Sequence, residues 1–215
     1  MNKVLLLIII ANVLVSIKGF SDRLFLERYK FQVGPVLRGE QIRMFTSGFL
    51  HVDQAHLFFN MFALYIFADP VINNLGELKF VIIYLGSLLA GSTIALSFHK
   101  KEPYYSAVGA SGAVMGIVYA AIMLNPEMKL SFIFFPFFSF PGYVFGVGYL
   151  LYSMYGMKTQ LGNIGHSAHL GGAVGGFVLT LVLYPQVFLE NKLMTVILAI
   201  PIILLFLFKD KLEKR

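Results

Sequence analysis

Apolar segments separated by short polar stretches run along the whole chain, and we count seven of them. They lie at about 4–17, 55–72, 80–98, 107–124, 142–157, 167–184 and 193–208. Most carry few or no charged side chains and approach the ~20 residues that a helix needs to cross a bilayer core. Because unpaired backbone groups are costly in lipid, each segment is predicted to be a helix. The pattern predicts an all-α polytopic membrane protein.

Two stretches between these segments are more than simple turns. Residues 18–54 mix six basic side chains with apolar ones, which is typical of a structured loop at the membrane interface. Residues 130–141 are rich in phenylalanine, contain two prolines and are predicted to form a re-entrant or interfacial piece. We divide the chain into a six-span membrane domain at 1–185 and an extra transmembrane helix with a basic tail at 186–215.

The first segment also fits a second interpretation. A lysine before a short apolar stretch is typical of a signal peptide. Lys18, however, stands where small residues would precede a cleavage site, so we expect residues 4–17 to be retained.

The composition of the chain excludes several kinds of partner and functional site. Only 13% of the 215 residues are charged, about half the share in an ordinary soluble domain. The net charge of +6 is explained by basic residues beside lipid headgroups, so no nucleic-acid partner is predicted. The absence of cysteine excludes disulfides, thiolate metal sites and a cysteine nucleophile.

A serine between glycines stands near the start of the fourth segment. Gly109 allows a tight turn before the helix, and Gly112 removes bulk beside Ser111. A hydroxyl at a helix N-terminus lies where N–H groups favour developing negative charge. Taken alone, this pattern indicates helix packing more often than catalysis.

A histidine with a glycine-lined face lies in the sixth segment. His169, Gly172, Ala173 and Gly176 recur at helical spacing and share one face. That face lets another helix approach closely, and a serine hydroxyl needs a base within hydrogen-bond reach to become a nucleophile. On its own, His169 is better explained as a structural histidine that forms hydrogen bonds inside the bundle.

The second segment carries two possible hydrogen-bond donors. His56 and Asn60 are spaced i, i+4 and project from one face. Both can donate to an anionic oxygen, although interhelical hydrogen bonding is the simpler role. His51, at the entrance to the segment, is interpreted as structural.

Together these clusters supply a nucleophile, a base and oxyanion donors, and they resemble the rhomboid family. The matching patterns within roughly residues 40–185 are His56-x-x-x-Asn60, Gly109-x-Ser111-Gly112 and Ala168-His169-x-x-Gly172-x-x-x-Gly176. The resemblance implies a six-helix bundle core, here with a seventh C-terminal transmembrane helix. It implies a Ser111–His169 dyad without an acidic member. His56, Asn60 and the backbone N–H of Ser111 would then be the oxyanion donors.

Three positions depart from the family pattern. The frequent Trp-Arg pair of the first loop is Ile42-Arg43, and an acidic–Arg pair expected after the second span is absent at 72–74. The tyrosine often found four residues after the nucleophile, where it stacks on the histidine, is Met115. The residues expected to support the site are Gly109, Gly112, Gly172, Gly176, His51, Arg43 and Met115.

The resemblance implies an intramembrane serine protease acting on membrane-protein substrates with a helix-destabilised transmembrane segment. No cofactor is required and no metal is expected, since the HExxH zinc motif is absent. The sequence does not indicate an oligomeric state. Two alternatives stay open: an inactive rhomboid-like protein that binds transmembrane helices, and a small membrane transporter.

The family also implies a location and an orientation. We expect a multi-pass protein of a bacterial cell membrane with its active site near the outer face. The basic residues of 18–54 and of the C-terminal tail would then lie outside, against the positive-inside rule. We keep the family orientation because a folded loop can hold its arginines in internal pairs.

Overall fold

The computed structural model describes residues 1–132, 135–159 and 165–208. The basic tail of the predicted 186–215 region lies outside these ranges from residue 209 onward. The division of the chain at residue 185 stays a prediction.

Helices form most of the described chain. In order they are α1 (Lys3–Ser21), α2 (Arg23–Tyr29), α3 (Val33–Leu37), α4 (Arg43–Thr46), α5 (Gln54–Leu75), α6 (Glu77–Phe98), α7 (Ser111–Leu124), α8 (Gly142–Thr159), α9 (His166–Leu183), α10 (Gln186–Glu190) and α11 (Lys192–Leu207). The described residues also include the short strands β1 (Phe31–Gln32), β2 (Ser106–Ala107), β3 (Lys129–Phe132) and β4 (Phe135–Pro141). Each of the seven predicted segments coincides with a helix, which confirms the all-α polytopic fold.

The helices differ in how well they suit a bilayer. In the part of the chain that the structure describes, α1, α5, α6 and α9 are long and apolar enough to cross a membrane. Helices α7 and α11 are apolar but shorter, at 14 and 16 residues. A membrane crossing by α11 therefore remains a prediction.

The fourth segment begins later than predicted. We expected it from about residue 107, but the helix starts at Ser111. Residues 106 and 107 instead form β2, which pairs antiparallel with β1 so that Ala107 lies opposite Phe31. The first loop thus supplies a partner strand, which is a non-local contact that an apolar pattern cannot reveal.

The first loop is structured, as its composition predicts. Arg43 is buried, and its guanidinium donates to the Glu40 carboxylate at 2.7 Å. It also donates to the backbone carbonyl oxygens of Glu27 at 2.8 Å and Lys30 at 3.2 Å. These bonds tie α2 to α4 and hold one of the loop's basic side chains internally.

The described residues of the phenylalanine-rich stretch form two paired strands. Strands β3 and β4 pair antiparallel, with Lys129 opposite Pro141 and a register shift after Ser131. Paired strands satisfy one another's backbone groups, so this stretch does not need to be helical. The prediction of an interfacial piece located the break between α7 and α8 but not its strand pairing.

Helix α7 lies at the centre of the bundle. Twelve of its residues, Gly112–Met123, are buried, as expected for a helix that is apolar on every side. It packs chiefly against α6 and α9. Its 14 residues extend about 21 Å, which is less than the ~30 Å of a bilayer core. If one end of α7 reaches a membrane surface, its other end lies inside the bilayer core.

Helices α7 and α9 touch backbone to backbone. A methyl group on Gly172 would run into the carbonyl oxygen of Gly112, and one on Gly176 into that of Gly116. On the other side of α9, a methyl group on Gly171 would lie 2.7 Å from the carbonyl oxygen of Ala90 in α6. Glycine at these positions is what permits the three helices to pack at this separation.

We predict that Gly172→Ala destabilises the protein by about 1–3 kcal/mol, because the added methyl group forces α7 and α9 apart. Thermal unfolding in detergent measures the effect. Gly148→Ala in α8 is the matched control, since nothing lies within 4 Å of a methyl group built there. Equal unfolding temperatures for the two variants would contradict the proposed packing.

Candidate active site

Ser111 and His169 are in hydrogen-bond contact at one end of the bundle. Ser111 is the first residue of α7, and His169 lies in the first turn of α9. Nε2 of His169 is 2.6 Å from Oγ of Ser111. In this geometry, the imidazole can accept the serine proton as the oxygen attacks an electrophile.

The other nitrogen of the imidazole also has a partner. Nδ1 of His169 is 2.7 Å from the hydroxyl of Tyr149 in α8. Sequence reasoning missed Tyr149. The replacement of the usual stacking tyrosine by Met115 signals a missing aromatic partner, but several tyrosines in the fifth segment fit that description equally well. Only the rotation of α8 about its axis selects Tyr149.

The backbone before Ser111 is held in a fixed turn. Gly109 has φ +133°, a conformation that favours glycine. Its N–H donates to the carbonyl oxygen of Ser47 at 3.0 Å. The next N–H, that of Ala110, donates to Nε2 of His51 at 3.3 Å. These bonds set where α7 begins and hence where the serine hydroxyl lies.

His51 links this turn to the first helix. Because its Nε2 accepts from Ala110, its Nδ1 carries the hydrogen and donates to Oγ of Ser16 in α1 at 2.8 Å. Ser16 in turn donates to the carbonyl oxygen of Phe49 at 3.0 Å. Burial, and secondarily nearby His56, lowers the pKa of His51 from 6.5 to about 3. The chain of hydrogen bonds needs the neutral imidazole, since a protonated His51 could not accept from Ala110.

His56 and Asn60 reach the same end of the bundle from α5. The His56 ring lies against Gly109, where a methyl group would be 2.7 Å from its Cε1 and 3.7 Å from Oγ of Ser111. Within the described residues, Nδ1 of His56 is buried without a hydrogen-bond partner. Asn60 is buried, and its amide donates to the carbonyl oxygen of His56 at 2.9 Å.

A cavity of about 940 Å³ opens beside these groups. It is lined by His56, Asn60, Ser111 and His169, by Tyr149 and Phe145 of α8, and by first-loop residues that include Leu26 and Lys30. Gly109, Gly112 and Met115 also form part of its wall. Gly172 and Gly176 are not among the lining residues, but they permit the close packing of α9 against α7. Arg43 is not among the lining residues and serves the loop instead.

A family model described as "Rhomboid domain" matches residues 38–186. RHOMBOID-like protein 12, mitochondrial, of Arabidopsis thaliana is 29% identical over 79% of this chain and 55% of its own length. Presenilin-associated rhomboid-like protein, mitochondrial, of Mus musculus is 32% identical over 62% of this chain and 36% of its own. Rhomboid protease GluP of Bacillus subtilis (strain 168) is 31% identical over 66% of this chain and 26% of its own.

These relatives correct one expectation. We expected a bacterial cell membrane, but the plant and animal relatives are mitochondrial proteins by name. On this finding, the expected placement in a bacterial cell membrane is wrong. The chain spans about half the length of the plant relative and less of the others.

We predict that mild acid destabilises the protein through His51. Between its folded pKa of about 3 and its unfolded value of 6.5, the unfolded chain binds a proton that the folded chain does not. The free energy of unfolding should therefore fall as pH falls through this window, by about 1.4 kcal/mol per pH unit from this group.

Thermal unfolding in detergent between about pH 7 and about pH 4 measures this dependence. The His51→Gln variant, which has no imidazole to protonate at this position, should lose less stability than the unmodified protein over that range. If the stability of the two proteins falls equally with pH, protonation of His51 does not cause the acid destabilisation.

Proposed function

Because this chain belongs to the rhomboid family, we propose that it is an intramembrane serine protease in which Ser111 is the nucleophile and His169 the general base. Rhomboids act on membrane-protein substrates within the bilayer. The observation that carries the finer assignment is the 2.6 Å contact between Nε2 of His169 and Oγ of Ser111. Two groups from separate membrane helices meet here at the distance that proton transfer requires.

The proposed reaction forms an acyl-enzyme. Oγ of Ser111 attacks the scissile carbonyl carbon while its proton passes to Nε2 of His169. The imidazolium then returns that proton to the leaving amine as the peptide C–N bond breaks. Water then attacks the ester carbonyl while one of its protons passes to the same nitrogen. The imidazolium returns that proton to Oγ of Ser111 as the acyl C–O bond breaks and the carboxylic acid product leaves.

Three donors are proposed to stabilise the tetrahedral oxyanion. His56 lies beside Gly109 and close to the serine oxygen. Asn60 lines the cavity one helical turn along α5, and its amide has a second hydrogen to donate. The backbone N–H of Ser111 is the third, because the first N–H groups of a helix have no partner within it. Together they surround the space in which negative charge would develop.

The membrane setting explains the need for the cavity. Helix α7 is too short to cross the bilayer core, so Ser111 at its start lies within the membrane thickness if its other end reaches the opposite surface. Hydrolysis needs water at that depth, and the cavity of about 940 Å³ has room for it. A substrate helix must unwind locally to present its carbonyl, which favours segments with helix-destabilising residues. The family match covers residues 38–186, and its C-terminal end supports the proposed boundary of the membrane domain at residue 185.

The dyad is tested by covalent labelling of the purified protein with a fluorophosphonate and by cleavage of a single-span substrate. We predict labelling at Ser111, and loss of both labelling and cleavage in Ser111→Ala and His169→Ala. Ser106→Ala is the matched control, because Ser106 lines the same cavity and is exposed. It should label and cleave as the unmodified protein does.

Persistence of cleavage in Ser111→Ala would contradict the assignment of the nucleophile. Labelling that moves to another serine would do the same. Full activity of His169→Ala would leave Ser111 without its proposed base.

We predict that Asn60→Ala lowers kcat by about 100-fold with little change in KM, because removal of one oxyanion donor costs the transition state more than the ground state. Asn74→Ala is a matched control, since Asn74 donates to the carbonyl of Pro70 at 2.7 Å as Asn60 does to that of His56 at 2.9 Å. If both variants lose kcat to a similar extent, the loss comes from a disturbance of α5 and not from the missing oxyanion donor.

A further inference from the structure

We propose that Tyr149 is a positioning residue that holds the imidazole of His169 in its reactive tautomer, an inference that rests on the proposed function. The Tyr149 hydroxyl lies 2.7 Å from Nδ1 of His169, on the side of the ring opposite the serine. The two ring centroids are 5.7 Å apart with an interplanar angle of 34°. The phenol therefore contacts the imidazole through its edge, as a hydrogen-bond partner rather than a stacked ring.

The positions of the hydrogens that the dyad needs determine the direction of the hydrogen bond between His169 and Tyr149. To accept the Ser111 proton, Nε2 must carry a lone pair, so the neutral imidazole must hold its hydrogen on Nδ1. Nδ1–H then donates to the phenol oxygen of Tyr149. In the opposite tautomer Nε2 would already hold a hydrogen and could not act as base.

The same bond also favours the charged intermediate. When Oγ–H of Ser111 breaks and Nε2–H forms, Nδ1–H remains in place and its bond to Tyr149 becomes charge-assisted. No proton moves to or from the phenol in this step. Tyr149 thus supplies, without a negative charge, the orientation that an acidic third member supplies in triads.

The position of Tyr149 is fixed by contacts on its own helix and with α7. Phe145, one turn earlier in α8, lies with its ring 5.5 Å from that of Tyr149 and nearly parallel to it, at 24°. The hydroxyl of Tyr119 in α7 donates to the carbonyl oxygen of Gly146 at 3.0 Å. This buried bond fixes the position of α8 along the axis of α7, the helix that carries Ser111.

Met115 explains why a phenol from α8 has this role. One turn after Ser111, where the family often has a tyrosine stacked on the histidine, Met115 lines the cavity and is buried. A thioether cannot accept a strong hydrogen bond from an imidazole. The orienting group therefore comes from a different helix, and it contacts a ring nitrogen instead of the ring face.

Tyr149→Phe tests this role because it keeps the ring and removes only the hydroxyl. With a fluorophosphonate as probe, we expect the labelling rate constant at Ser111 to fall roughly ten-fold, the effect of losing one hydrogen bond of ordinary strength. The final labelling stoichiometry should stay unchanged, because every molecule remains folded. On a single-span substrate, kcat should fall by a similar factor while KM stays constant.

Tyr152→Phe, three residues further along α8, is the matched control and should label at the unmodified rate. The fluorophosphonate is small and reaches Ser111 without a transmembrane segment passing α8. A slower labelling rate therefore reports the position of His169 and not the entry of a substrate helix.

Two results would overturn the role of Tyr149. One is an unchanged labelling rate in Tyr149→Phe, and the other is a fall in labelling stoichiometry that accounts for the lost activity. Ser111→Ala in parallel keeps the two proposals apart: labelling or cleavage that survives in Ser111→Ala refutes the protease assignment itself, whatever Tyr149→Phe does.

Discussion

The contact between α7 and α9 is the constraint on which the rest of the structure depends. The two backbones come together where a methyl group on Gly172 would collide with Gly112 and one on Gly176 with Gly116. Because Ser111 begins α7 and His169 lies in the first turn of α9, this approach places the hydroxyl and the imidazole in direct contact. Two side chains from distant parts of the sequence thus form one chemical unit without a loop to carry either.

Close helix packing alone would leave the hydroxyl and the imidazole free to rotate, and neighbouring elements remove that freedom. Gly109 and Ala110 are bonded to Ser47 and His51, which fixes the first turn of α7. Tyr149 holds the imidazole from α8. The first loop pairs with the strand that precedes this turn. Elements that appear peripheral in the sequence therefore determine the position of the serine oxygen.

The sequence predicted those features that depend on local spacing. Apolar length located the seven longest helices of the described residues, and the glycine spacing around Ser111 and His169 predicted a close crossing. Contacts that depend on helix rotation or on non-local pairing were not predictable in the same way. Tyr149 could not be chosen from the tyrosines of the fifth segment, because its role follows from how α8 is turned. The pairing of β1 with β2 likewise joins residues 31 and 107, which no periodic pattern connects.

A crystal structure of the protein after reaction with a fluorophosphonate would be the most direct test of the proposed Ser111–His169 dyad. We expect phosphorus bonded to Oγ of Ser111, the His169 ring within hydrogen-bond distance of the adduct, and the backbones of α7 and α9 in contact at Gly112 and Gly172. A reactive serine elsewhere would contradict the proposed dyad. So would an imidazole turned away from the adduct.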